Sequence, residues 1–246
     1  MPVKYEHVVF CGLSDFQLAL YQLFITSPDI KALLRGKESQ PLKAINVLKK
    51  LCNHPALLEL PSDLKGSESL IPAGFVGVKE RSTGGSGSGG SGPGVNCEWS
   101  GKFVVLERRV VRAWAIKVML TFHGKHRFLH RIKTETSNKI VLISNNTQTL
   151  DMFEKMLRSK KYALTFHLFR SLLNDEYSYG YFRLDGGMAI TKRQKCVDQF
   201  NDPERSEFVC LLSSKVGGCG INHIGANRLI LFDPGMPSSQ THCHLL

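Results

Sequence analysis

The amino-acid sequence predicts an α/β fold, with a parallel sheet covered by helices on both faces and a helical segment ahead of it. Two observations in the second half carry this. Four apolar runs, KIVLIS (139–144), YFRLDG (181–186), FVCLLSS (208–214) and RLILFD (228–233), show no regular alternation of polar and apolar residues. Strands of that kind are buried on both faces. Between the first three runs, segments 147–160 and 190–201 repeat apolar residues at helical spacing. Strands separated by helices imply crossover connections and hence parallel pairing.

From the N-terminus, YEHVVFC (5–11) alternates enough to predict a short strand. Ser14-Asp15 then predicts a capped amphipathic helix carrying Leu18, Leu20, Tyr21, Leu23 and Phe24. Pro41 opens a second helix, with Ile45, Leu48, Leu51 and Cys52 on its apolar side and a stop at Asn53-His54-Pro55. From 61 to 96 the pattern dissolves, and STGGSGSGGSGPG (82–94) is a flexible linker by composition. The expected organisation is a helical segment at 1–60, a linker at 61–96 and an α/β domain at 97–246. In that domain Leu150, Phe153 and Leu157 form the inner side of the first helix. Ile190, Val197 and Phe200 form that of the second.

The 246 residues carry a net charge of +11, which points to a polyanionic partner, with nucleic acid first. No apolar run reaches the roughly 20 residues that span a bilayer. MPVKYEHVVF lacks the apolar core of a signal peptide. The seven cysteines form no C-x-x-C pair, and scattered thiols fit a reducing compartment. His242-Cys243-His244 has metal-ligand residue types but no second cluster at zinc spacing, so no metal site is expected.

Ligands of open parallel sheets bind where loops leave the carboxyl ends of the strands. Three polar motifs sit there. Ser144-Asn145-Asn146-Thr147-Gln148-Thr149 places hydroxyls and amides at a helix start. That arrangement suits a phosphate, or equally plain N-capping by Asn146 or Thr147. Arg183-Leu184-Asp185-Gly186-Gly187 reads first as a turn. Ser213 to Asn222 (SSKVGGCGIN) brings glycines and Lys215 after a buried strand, which lets backbone approach a ligand closely. It is no phosphate loop of the G-x-x-x-x-G-K-S/T type, and none occurs in the chain.

Taken in order, LKKLCNHPALL (48–58), KIVLISNNTQTLDMFEKMLRSKKY (139–162), YFRLDGGMAITKRQKCVDQFND (181–202) and FVCLLSSKVGGCGINHIGANRLILFDP (208–234) resemble the Swi/Snf family of helicase-like ATPases, in its recombination-repair branch. The resemblance covers most of the chain. It implies a RecA-like second motor lobe. The parent would be an ATP-dependent double-stranded-DNA translocase acting in homologous-recombination repair and chromatin remodelling. ATP and Mg2+ would be its cofactors, the nucleus its location, and duplex DNA, recombinase filaments and nucleosomes its partners. By the same resemblance, Asn145, Thr147, Gln148, Arg183, Ser213, Ser214 and Lys215 would contact DNA. Gly218, Gly220 and Asn222 would line the nucleotide cleft.

The departures matter as much. The first lobe, with its phosphate loop and magnesium box, and the sixth motif, with its arginine finger, have no counterpart here, so no catalytic set is complete. Such a finger is worth on the order of 10³ or more in rate. Val216 stands where the family has Ala, His223 where it has Leu, and Asn146 where it has an aromatic. Segments 109–128 and 163–179 interrupt the match; their lengths fit translated introns, with a frameshifted tail after Pro234, the alternative being real surface insertions. Two alternatives therefore accompany the translocase reading: a non-catalytic DNA- or recombinase-binding module, and a non-functional remnant that does not fold.

Overall fold

The computed structural model describes residues 5–36, 41–77, 95–110, 139–168, 180–203, 205, 207–217 and 224–233. The chain divides into two compact units. One comprises Met1–Gly92 with Asn96–Arg108, the other Pro93–Val95 with Arg109–Leu246.

The first unit is helical: α1 (Asp15–Thr26), α2 (Pro28–Leu34), α3 (Pro41–Asn53) and α4 (residues 101–110), which belongs to this unit up to Arg108. Ser14 caps α1 as expected, in a reciprocal capping box with Gln17. Leu20, Phe24, Val47, Leu51, Leu58 and Leu64 form its core. Gln17 is buried and joins three helices. Its amide donates to the Leu51 carbonyl at 2.7 Å, and its carbonyl accepts from the Ser14 and Gly101 N–H groups at 3.2 and 3.1 Å. His54, fully buried, accepts at Nδ1 from the Ala56 N–H (3.1 Å), which leaves Nε2 to donate to the Asn96 carbonyl (3.0 Å). Burying such groups is tolerable only because each is hydrogen-bonded.

Three expectations fail in this unit. Residues 5–11 form no strand: Val8 and Phe10 are exposed and, among the described residues, no strand lies in this unit to pair with them. A strand's period-2 pattern needs a ladder partner to take up its backbone groups. Residues 61–77 are not linker. They carry a 3-10 turn at Glu68–Leu70, and Leu64 enters the core. Short irregular segments of this sort lack any period by which to be read. The stretch 96–108 belongs to the helical unit and not to the α/β domain. Helix α2 was not anticipated: it buries no residue and so has no apolar stripe to reveal it. Residues 78–94 lie outside the described residues.

The second unit is the expected parallel sheet: β1 (Ile140–Ser144), β2 (Tyr181–Leu184), β3 (Val209–Ser213) and β4 (Arg228–Leu231), in the order β2-β3-β1-β4. All three pairings are parallel, with Ser144 opposite Ser213. Helix α5 (Thr147–Leu168) follows β1, α6 (Ile190–Asn201) follows β2, and the short α7 (Ser214–Gly217) follows β3. The two longer helices cover opposite faces. Val141, Ile143, Leu184, Cys210 and Leu212 pack with Val197 and Phe200 of α6. The alternate residues Tyr181 and Arg183 face Glu154 of α5.

At the sheet's opposite end Lys139 is buried. Its ammonium donates to the carbonyls of Phe200 and Asp202, both at 2.5 Å. Burial pushes this ammonium's pKa down, against the opposing charges of Asp202 and Glu207. The helix carbonyls are its compensation.

Val216 sits inside the α6-face core, 2% exposed. The larger side chain is thus accommodated in that core; His223 lies outside the described residues. Ile190, expected inward, is 80% exposed because it starts α6 beyond the strand ends. Helix α5 runs on to Leu168, past its expected end at 160 and into the segment 163–179; the segment 109–128 lies mostly outside the described residues.

Candidate nucleic-acid interface

Parallel pairing brings the exits of all four strands to one edge. Strands β1 and β3 are neighbours, so the turn after Ser144 and the turn after Ser213 leave the sheet side by side, roughly 5 Å apart by sheet spacing. Five residues expected to contact DNA share this place: Asn145, Thr147 and Gln148 on one exit, Ser214 and Lys215 on the other. Thr147 and Lys215 are exposed, while Asn145, Gln148 and Ser214 are half-buried. Ser213 is buried in the last register pair of the sheet.

At the start of α5 the N-capping that the polar motif offered is present. The Asn146 side chain accepts from the Gln148 N–H at 3.0 Å, and the Asn146 carbonyl accepts from the Thr149 N–H at 3.1 Å. Asn146 is therefore the cap. A phosphate arriving here would meet side chains of Thr147 and Gln148 beside an N-terminus already capped. Asn145 is also partly engaged, donating from Nδ2 to the Asp233 carbonyl at 3.0 Å.

Arg183 on β2 is bound inside the lobe. Its Nη1 meets Asp151 at 2.6 Å and Glu154 at 2.9 Å, and its Nε meets Asp185 at 3.1 Å. Arg158 pairs with Glu154 at 2.6 Å and donates to the Tyr181 hydroxyl at 2.8 Å, which donates to Glu154 at 2.5 Å. Arg183 is thus held by three carboxylates of its own lobe, Asp151, Glu154 and Asp185.

Burial would raise the Glu154 carboxyl's pKa, but hydrogen bonds from Tyr181 and Arg183 and the charges of Arg158 and Arg183 hold it below the ordinary range. A depressed carboxyl stabilises the fold above its unfolded pKa, and that stabilisation is lost as pH falls through the folded value. Thermal melts should thus lose stability below roughly pH 4. Glu154→Gln should flatten that acid limb while lowering the melting temperature at pH 7. Tyr181 is pushed up to about 12, by burial first and then by Glu154. Its share persists below the ordinary tyrosine range and is lost as pH rises through about 12.

Gly218, Gly220 and Asn222 lie outside the described residues, as do His242, Cys243 and His244. Among the described residues no three His, Cys, Asp or Glu side chains gather as a metal ion requires. Asp233 is the residue that sequence reasoning missed. Its signal was an acidic residue directly after an apolar strand beside β1.

Comparison with known proteins accords with this architecture. Residues 1–57 match the SNF2-related domain, and residues 124–244 match the helicase conserved C-terminal domain. The chain is 51% identical over 234 residues to the DNA repair protein rhp54 of Schizosaccharomyces pombe, covering 95% of this chain and 22% of that protein. It is 45% identical over 238 residues to the DNA repair and recombination protein RAD54 of Saccharomyces cerevisiae, covering 95% of this chain and 21% of that one. It thus spans about a fifth of the length of these relatives. The fold is similar to the crystal structure of the C-terminal part of the Fun30 ATPase domain. The TM-score is 0.58 at 21% identity, covering 96% of this chain and 76% of that one. The chain belongs to the Swi/Snf family of helicase-like ATPases, and its α/β unit has the RecA-like fold of that family's C-terminal lobe.

Proposed function

We propose that the chain is the DNA-holding part of an ATP-dependent double-stranded-DNA translocase that acts in homologous-recombination repair and chromatin remodelling in the nucleus. Recombinase filaments and nucleosomes are the partners this reading assigns to the whole protein, and ATP with Mg2+ its fuel. The observation that supports it is the pair of neighbouring strand exits that carry Thr147 and Gln148 on one side and Ser214 and Lys215 on the other, on a chain of net charge +11. Thr147, Gln148 and Ser214 offer neutral donors, and Lys215 supplies the charge that releases counterions on binding a phosphate backbone.

The sequence holds no phosphate loop of the G-x-x-x-x-G-K-S/T type. On that ground the chain by itself acts as a binding module, without turnover. Fluorescence anisotropy with a labelled duplex should show binding whose affinity falls steeply with salt. Lys215→Ala should weaken it about fivefold at every sequence and reduce the salt slope by about 1. An ATPase assay with duplex DNA added should stay at background. Salt-independent binding, or DNA-stimulated turnover, would overturn this reading. A cooperative thermal melt is the expected sign that the chain is no unfolded remnant.

A further inference from the structure

The Ser144–Asn146 turn is held from the neighbouring strand's exit by one residue. Asp233 follows β4, whose ladder with β1 is extended by the Phe232 N–H donating to the Ile143 carbonyl at 3.0 Å. Beyond that bond the Asp233 side chain takes over. One carboxylate oxygen accepts from Ser144 Oγ at 3.1 Å and the other from the Asn145 N–H at 3.0 Å. Its own carbonyl accepts from Asn145 Nδ2 at 3.0 Å. Three contacts thus fix two consecutive residues of the turn. The next residue, Asn146, accepts from the Gln148 N–H and so sets where α5 begins.

We propose that Asp233 is a positioning residue for phosphate recognition, holding the turn that aims Thr147 and Gln148 at the DNA backbone. The proposal rests on the reading of this edge as a DNA contact. Charge makes it testable by sign. A carboxylate beside a phosphate path is unfavourable by Coulomb's law, and Asp233 is only half-buried. If it contributed charge alone, removing it would strengthen DNA binding. If it positions the turn, removing it weakens binding although the chain becomes more basic. Asparagine separates the two effects. It keeps the volume, loses the charge, and offers one acceptor oxygen where two donors wait.

The experiment compares the full chain with Asp233→Asn and Ser144→Ala by anisotropy on one labelled duplex at several salt concentrations, well below each melting temperature. Circular dichroism checks the fold. The expected result is an Asp233→Asn affinity about fivefold below the parent, the equivalent of about one lost hydrogen bond. Ser144→Ala, which keeps the carboxylate charge, should show a smaller loss in the same direction. A merely structural role would lower the melting temperature and leave the affinity of the folded chain unchanged or raised; that outcome overturns the proposal. Should Asp233→Asn fail to fold, Ser144→Ala decides, and unchanged affinity there overturns it. If the parent chain itself shows no salt-dependent binding, the DNA reading has failed and the proposal goes with it. Parent binding with an unweakened Asp233→Asn instead sinks the positioning role and spares the DNA reading.

Discussion

Replacing Phe200 by alanine should cost the α/β unit about 3–5 kcal/mol, measured as a shift in urea midpoint at constant slope. Phe200 is fully buried, meets Phe182 edge-on at a centroid distance of 6.4 Å, and lies under the Lys139 ammonium at 5.4 Å. Truncation leaves a cavity in the α6-face core. It also strips the aromatic face from an ammonium that has little water to turn to. Two losses thus fall on one residue, in a domain whose whole stability is of order 5–15 kcal/mol. The same unit should lose far less from Ile190→Ala, because that side chain is 80% exposed. Equal costs at the two positions would mean that α6 is seated differently.

Gly101→Ala should destabilise the helical unit by about 3 kcal/mol or more, at the upper end for overpacking. A Cβ added at Gly101 would stand 1.8 Å from the Gly12 carbonyl oxygen and 3.0 Å from its carbon. Those atoms are backbone and cannot rotate away. The substitution also disturbs the Gly101 N–H bond to Gln17, through which α4 is joined to α1 and α3. Melting should move down by several degrees, whereas Gly12→Ala meets nothing within 4 Å and should be near neutral. A Gly101→Ala chain that melts with the parent would refute this close approach.

Much of the architecture could be read before the structure. Four strand runs, their parallel pairing and the helices on both faces follow from uninterrupted apolar segments such as KIVLIS and from the spacing of Val197 and Phe200. Water excludes such segments whatever their neighbours, so burial pattern travels with the sequence. The caps were legible for a related reason: Ser14 and the stop at Asn53-His54 act within a few residues. The Asn146 cap was one of two open readings, since a helix start that can bind phosphate has the same local chemistry as one that caps itself.

What the tertiary structure alone decided concerns partners far apart in the chain. Arg183 read as a DNA contact, yet its guanidinium lies among Asp151, Glu154 and Asp185, and only the packing of α5 on β2 creates that corner. Residues 5–11 alternate like a strand, but a strand exists only where a second one accepts its hydrogen bonds. Val216 looked oversized by comparison with its family, and the packed core received it. Asp233 acquires its grip on Ser144 and Asn145 because β4 lies beside β1, 88 residues away in the chain. By itself the sequence determined the four strand runs and the cap that opens α1. Which charges neutralise one another, and which polar groups bond to one another, was settled only by folding, because Coulomb and hydrogen-bond energies depend on distances that sequence order does not set.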